Sequence, residues 1–306
     1  MGFVTASAPG KCILFGEHAV VYGHPAVAVA IDQRISVKIQ PSPNHLWLLD
    51  GSSLNMNRNP HIKGLIEKLW PKQYGAPELS IHIKGNIPRA SGLGSSAALS
   101  VATAAALRMA RGRWVSKTDG TQQQNWLEGF GSTIANSEPY DNSPGFFATE
   151  SQDERYHITN KSSVDNDECA ILAHGVEAAV QQGRASPMDS STCSHGGIII
   201  ISDVVEQDID YLYQRTLAMK DATRKWHIHE MSPPSDSNDV YLVIGNTGVH
   251  APTGKQVAKV AEMLQQDPSR MKEIDTIGQI ARRGIKAIKQ EMYRFLEQRG
   301  IRPPSN

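Results

Sequence analysis

Residues 88–97 read Pro88-Arg89-Ala90-Ser91-Gly92-Leu93-Gly94-Ser95-Ser96-Ala97. Just upstream, Leu79, Ile81 and Ile83 alternate with Ser80, His82 and Lys84, the period of a half-buried strand. Just downstream, Ala97–Arg111 is an unbroken helix-forming run, and Gly112 is its natural stop. The local plan is therefore strand, glycine loop, helix. Glycines let backbone N–H groups approach a ligand closely, and a helix start adds unpaired N–H groups and the positive end of the dipole. Ser95 and Ser96 can cap the helix, or reach a phosphate or its metal. Alone, the loop reads as a tight turn capped by serine. With strand, serine pair and helix in register it reads as a phosphate site.

Two named phosphate loops compete for this stretch. A Walker A loop is excluded, because no Gly-Lys-Ser/Thr follows. Gly92-x-Gly94-x-x-Ala97 matches the dinucleotide fingerprint, which also wants an acidic residue about 20 positions later at the end of a second strand. Asp119 has that spacing but sits in Ser-Lys-Thr-Asp-Gly, with no strand before it. The nicotinamide reading stays the weaker competitor.

Composition bounds the rest. The 306 residues suit one large domain or two ordinary ones, and 40% hydrophobic with 20% charged residues is globular. Thirty-one basic residues balance 31 acidic ones, which argues against a nucleic-acid binder held by bulk phosphate attraction. Cys12, Cys169 and Cys193 form no CxxC pair, so neither a disulfide framework nor a zinc motif is expected, and a reducing, cytoplasmic compartment fits. No signal peptide is visible at the N-terminus. The longest apolar runs, Ala26–Ile31 and Ala97–Leu107, fall far short of the roughly 20 residues of a membrane span.

Outward from the loop, Phe3–Ala8 and Lys11–Phe15 read as extended segments around Pro9-Gly10, and Ile35, Val37 and Ile39 mark another strand. Residues 116–168 are rich in Ser, Thr, Asn, Asp, Gln and Gly without a sustained period, and read as a polar insertion with short helical pieces near Trp126–Ile134. Cys169–Gln182 reads as a helix, Gly183–His195 as a loop and Ile198–Ile201 as a buried strand. Tyr211–His229 reads as a helix, and Tyr241–Gly245 as a strand. Thr253 and Gln256 form a capping-box pattern opening a helix with Val257, Val260, Ala261 and Leu264 on one face. A last helix carries Ile277, Ala281, Ile285, Ile288, Met292 and Phe295. His227 and His229 would share a face only in a strand, so no metal pair is expected of them. Arg282, Arg283, Lys286 and Lys289 read as a solvated helix face.

Near the N-terminus, Lys11, Glu17 and His18 cluster in Ala8-Pro9-Gly10-Lys11-Cys12-Ile13-Leu14-Phe15-Gly16-Glu17-His18-Ala19-Val20-Val21-Tyr22-Gly23. A lysine in a cleft is costly unless it meets an anion or carboxylate; singly, each of these residues fits a surface hairpin equally well. Together, this segment and the glycine loop resemble the mevalonate kinase family, in the superfamily of galactokinase, homoserine kinase, mevalonate kinase and phosphomevalonate kinase (the GHMP kinases). Pro-Gly-Lys-x-Ile-Leu-Phe-Gly-Glu-His-Ala-Val-Val is similar to that family's first motif, and Pro-x-x-x-Gly-Leu-Gly-Ser-Ser-Ala to the superfamily's ATP loop. The likeness is strong over residues 5–31 and 79–110 and looser over 170–265. Gly183-Arg184-Ala185-Ser186-Pro187-Met188-Asp189 resembles the Gly-x-x-Ser-Pro-x-Asp loop, and 245–253 a fourth segment.

The resemblance implies an α+β, two-domain GHMP kinase fold with its active site in the interdomain cleft. Residues 1–182 would form the nucleotide-binding domain, with 116–168 as insertion, and 183–306 the C-terminal domain. It implies ATP with Mg²⁺ as cofactors and phosphorylation of the primary hydroxyl of mevalonate, in isoprenoid synthesis. Asp189 becomes the catalytic base with Lys11 as its partner; residues 88–97 cradle the triphosphate; Lys11, Glu17, His18, Asp189 and Thr253 meet the substrate; Ser96 and Glu177 hold the metal. Two departures accompany the likeness. The family's metal glutamate usually stands eleven positions before the aspartate; here Ala178 does, and Glu177 is twelve before. A one-residue shift turns a helix by about 100°. The family's late Gly-rich segment is also absent, since only Gly278, Gly284 and Gly300 follow Gly254, so the C-terminal domain is expected to be truncated. Another GHMP small-molecule kinase, such as a phosphomevalonate or sugar kinase, and a non-catalytic nucleotide-binding fragment are the alternatives. The expected partner is a small molecule, with no nucleic acid or membrane, and a homodimer is admitted as assembly.

Overall fold

The computed structural model describes residues 3–70, 78–88, 90–111, 147–149, 164–181, 183, 185–218, 223–231, 242–245, 248 and 253–298. The polar segment 116–168 lies largely outside them, as do Trp126–Ile134 and Arg89. The architecture is one mixed sheet with helices on both faces. The central strand is β2 (Ala26–Pro41). One of its edges pairs antiparallel with β1 (Val4–Phe15), from Val4↔Ile39 to Phe15↔Val27, with irregularities at Pro9/Gly10 and Ile13/Phe15. Its other edge is shared. Residues Ile35–Pro41 pair with β5 (Leu79–Gly85), beyond which lie the short β3 (Leu48–Leu49) and β4 (Ser52–Ser53). Residues Ala26–Val29 pair with β7 (Ile198–Ser202), followed by β9 (Thr223–Met231) and β8 (Asp210–Ala218). The sheet thus continues across position 183. The short β6 (Phe147–Thr149) pairs with β1.

The buried strand Ile198–Ile201 is covered on both sides, as an uninterrupted isoleucine run requires. Ile199 and Ile201 pack with Ala26, Ala28, Trp226, Ile228 and Met188 on one face, and Ile200 packs with Val27, Met231 and Ile285 on the other. The first face carries α1 (Pro60–Leu69), α2 (Ser95–Arg111), α3 (Asn166–Val180) and α4 (Met188–His195). The second carries α6 (Met271–Gln298), preceded by α5 (Thr253–Gln266). In α2, Ala97, Ala98, Ala102, Ala104, Ala105 and Ala106 are all buried. A helix buried all round must be built of small residues if strands and three other helices are to close on it.

Several expected elements differ. Tyr211–His229 is a hairpin, not a helix: Arg215 pairs with Trp226 and Ala218 with Thr223. Trp226 and Ile228 alternate with His227 and His229, a period of two that the charged stretch between the strands obscures. Residues 188–195, expected as loop, form α4. Its Ser190 and Ser191 hydroxyls donate back to the Pro187 carbonyl at 3.1 and 2.6 Å, compensating a sequence poor in helix formers. Leu242–Gly245 form no strand and are exposed. Helix α1 was not anticipated, although Pro60 at its first turn and Ile62, Leu65, Ile66 and Leu69 at helical spacing mark it. Among the described residues no helix is long and apolar enough to cross a membrane.

Gly284 is where α6 meets β1: a Cβ there would lie 2.7 Å from the Phe15 ring. In an open helix Gly→Ala gains about 1 kcal/mol. Gly284→Ala should instead lower stability by about 1–2 kcal/mol, from overpacking. Urea unfolding checks this, and a Phe15→Ala background should remove the penalty.

Candidate active site

Three elements converge at Lys11. The Lys11 amide donates to the Leu93 carbonyl at 3.0 Å, which fastens β1 to the glycine loop. Gly94 lies at φ +72°, and a Cβ there would come 2.9 Å from Lys11 Cγ, so neither the conformation nor the space admits a side chain. Beyond it, α2 starts at Ser95 with the Ala98 amide bonded to Gly94 O at 2.9 Å, and the amides before Ala98 have no partner within the helix. Ala90 holds φ +52°, and Ser91 Oγ donates to Pro88 O at 2.7 Å, which fixes the bend of the loop.

The Lys11 side chain runs from β1 to α4. Its Nζ stands 3.0 Å from Asp189 Oδ1, with the lysine 4% and the aspartate 20% exposed. Burial works against the ammonium, but the charge and hydrogen bond of Asp189, with Glu17 behind them, outweigh it and raise the lysine pKa. Asp189 lies in the first turn of α4, where the helix dipole favours a carboxylate.

Glu177, on α3, is brought to the same place. Its Oε1 accepts from Ser96 Oγ at 3.4 Å and from Gln181 Nε2 at 3.2 Å. Burial first, and then the Asp189 charge, push its carboxyl up to about 8, against the opposing pull of Lys11 and Ser96. The one-residue offset therefore does not carry Glu177 away from Ser96.

Lys11, Glu17, His18, Glu177 and Asp189 all line one hollow, with Ile13, Val20, Val21 and Val257 as its apolar wall. His18 is held at φ 64° where it opens the 3₁₀ turn Ala19–Tyr22, and the buried Trp226 of β9 donates from Nε1 to Val20 O at 2.9 Å, pinning that turn. Thr253 is the first residue of α5, and Val257, one turn on, reaches the hollow. Arg89 falls outside the described residues.

A second, larger cavity of about 530 Å³ has Ser95 and Ser96 in its wall. That volume lies in the range of small-molecule sites. Ile35, Leu49, Ile62, Ile83, Ile87 and Leu99 supply its apolar walls, and Asp50, Arg58, Asn59 and His61 its polar groups. None of these residues stood out as a site in the sequence, because they come from five separate stretches: β2, the end of β3, the entry and first turn of the unanticipated α1, the end of β5, and α2. Ser96 joins the two spaces, since it lines the larger and hydrogen-bonds a residue of the smaller.

A model of the GHMP kinase N-terminal domain matches residues 60–136. The mevalonate kinase of Methanothermobacter thermautotrophicus is 31% identical over 280 residues, covering 90% of this chain and 68% of that protein. That of Archaeoglobus fulgidus is 47% identical over 104 residues, 33% of this chain and 36% of the relative. A crystal structure of L. major mevalonate kinase in complex with R-mevalonate aligns with a TM-score of 0.52 at 20% identity, over 93% of this chain and 69% of that one. A Lin0012 protein from Listeria innocua aligns with a TM-score of 0.59 at 16% identity, over 96% and 75%. At such identities the two structures speak for the fold, and the long archaeal match speaks for the family. This chain belongs to the mevalonate kinase family of the GHMP kinases.

Proposed function

We propose that the chain transfers the γ-phosphoryl group of ATP directly to the primary hydroxyl of mevalonate. The observation that carries this reading is the pairing of buried Lys11 with Asp189, 3.0 Å apart beside a glycine loop at a helix start. Phosphoryl transfer to an alcohol needs little covalent help; it needs a carboxylate to accept the hydroxyl proton and cations to spread developing charge. Asp189 takes the proton. Lys11 pairs with Asp189 at 3.0 Å and faces the attacking oxygen. Residues 88–97 cradle the triphosphate with their amides and the start of α2. The apolar cavity beyond Ser95 takes the nucleoside, which puts the γ-phosphate on the Ser96 side, toward the pair.

The smaller hollow takes mevalonate. Its apolar wall suits the substrate's hydrocarbon, while Glu17 and His18 are offered to its polar groups, and Thr253, at the start of α5, is the further contact that the resemblance implies. Ser96 and Glu177 present hard oxygen donors whose type and proximity fit Mg²⁺. When bound, the ion supplies neutralisation of phosphate charge. In this reading residues before 183 hold the nucleotide, and the segment after it contributes Asp189. A cytoplasmic setting is supported by three unpaired thiols, Cys12, Cys169 and Cys193. Light scattering of the same preparation tests the homodimer.

Asp189→Asn should lower kcat by about 10²–10⁴-fold while ATP still binds; intact turnover with bound nucleotide would refute the base assignment. ADP release measured across mevalonate, phosphomevalonate, galactose and homoserine should single out mevalonate, and a preference for another alcohol would move the chain to a different GHMP activity.

Glu177 gives a second check, in metal-free buffer. Its folded pKa of about 8 lies above the ordinary carboxyl value of 4.5. The stability tied to its neutral form is then complete at acidic pH and lost as pH rises through about 8. Glu177→Gln should lose less stability than the parent between about pH 5 and pH 9, by at most about 1.4 kcal/mol per pH unit. Parallel urea curves at both pH values would show that the carboxyl is not held neutral.

A further inference from the structure

His174 takes no part in the chemistry above, yet its side chain is fully buried one turn before Glu177 on α3. Its Nδ1 accepts from Arg215 Nε of β8 at 2.9 Å, and its Nε2 faces the Ala185 carbonyl at 3.1 Å. A guanidinium only donates and a carbonyl only accepts, so the two neighbours fix the neutral Nε2–H tautomer. Burial pushes the pKa down to about 4, with the Arg215 cation adding to that and the Ala185 carbonyl opposing it. The ring of Trp226 stands edge-on at 6.1 Å and 88°. The imidazole is thus one fixed tautomer, braced from β8 and β9.

What it holds is the approach to α4. Ala185 is two residues before Pro187, whose carbonyl collects the Ser191 amide at 2.9 Å and the hydroxyls of Ser190 and Ser191. Those bonds wind the first turn of α4 around Asp189. Ala185 thus stands four residues before Asp189, at the entry to that turn.

We propose that His174 is a positioning residue: by clamping the Ala185 carbonyl to a ring braced by Arg215, it sets where Asp189 meets Lys11 and the substrate hydroxyl. The inference rests on Asp189 being the base.

Two half-substitutions separate positioning from plain support. His174→Gln places an N–H near the former Nε2 and keeps the bond to Ala185 while losing the acceptor for Arg215. His174→Asn places an oxygen near the former Nδ1 and keeps Arg215 while losing Ala185. Each removes one hydrogen bond. His174→Asn should lower kcat by about 10–100-fold, the scale of a misplacement near 1 Å. Its KM values for ATP and mevalonate should stay within about threefold of the parent, since residues 88–97 are untouched. His174→Gln should keep kcat within about threefold despite a lower Tm.

A second reading needs no turnover: the ¹⁵N signal of the Lys11 ammonium, assigned by its loss in Lys11→Met. It should move in His174→Asn and stay in place in His174→Gln. Equal activity losses in the two variants, activity that follows Tm, or a Lys11 signal common to all three proteins would each overturn the proposal. Where His174→Asn does not fold, His174→Gln decides alone: retained kcat supports positioning, lost kcat overturns it. A parent protein inactive on mevalonate would refute the mevalonate reading, while the Lys11 signal would still decide the positioning.

Discussion

A lysine ammonium 4% exposed keeps its charge only if a carboxylate meets it there, and in this chain that condition organises the site. Lys11 sits mid-strand in β1, so its direction is fixed by pairing with β2. Its partner must reach in from another element at about 3 Å. Asp189 does so from the first turn of α4, the part of a helix where a carboxylate is also favoured by the dipole. The pair ties the N-terminal strand to a segment nearly 180 residues later, and the glycine loop closes on the same lysine through the Leu93 carbonyl. Taking away either charge would leave the other without its hydrogen-bonded partner, so what the pair contributes to folding cannot be separated from its place in the chemistry.

That convergence is made possible by β2. One edge of it carries β1 along its whole length, while its two halves pair on the other edge with β5 and with β7. The strand before the glycine loop and the strand after α4 are thereby fixed to a single ruler. On the helical side, the alanines of α2 set the distance. Larger residues would push the helix start away from β1 and open the gap between Ser96 and Glu177, whose hydroxyl and carboxylate now stand 3.4 Å apart.

The sequence made some of this readable and hid the rest for physical reasons. The glycine loop was clear because its constraints are local: a strand period before it, a helix former run after it, and glycines between. Lys11 and Asp189 were found through resemblance, since nothing local distinguishes a paired lysine from a solvated one. Helix α4 was hidden by serines and a threonine, which win their helix through back-bonds to Pro187 and Met188 that only the folded chain displays. The β8–β9 hairpin was hidden because charged residues near its turn blur the alternation, and its register is fixed by β7. The larger cavity could not be read at all, because its walls come from five separated segments. The basic residues of α6 read as solvated, yet Arg282 pairs with Asp203 and Lys289 donates to Gln207 O at 2.6 Å, contacts with a loop that no helical wheel contains.

Glu177 shows most directly why spacing and geometry part company. Counted back from Asp189, it is one position too far, and within a continuous helix that would swing it by about 100°. The segment between them is not continuous helix. Helix α3 ends at Val180, and the Gly183 amide turns back to Ala178 O at 2.7 Å, with Gly183 at φ +83°. This closure is the hydrogen bond of a Schellman-type helix end. The direction of Glu177 is set upstream of it, by the packing of α3 on α2, and Asp189 is set downstream by the winding of α4. A residue added in the connection leaves both directions unchanged, because chain length changes there at little cost. A count of residues between two functional groups therefore constrains their geometry only if regular structure joins them, and here a loop does.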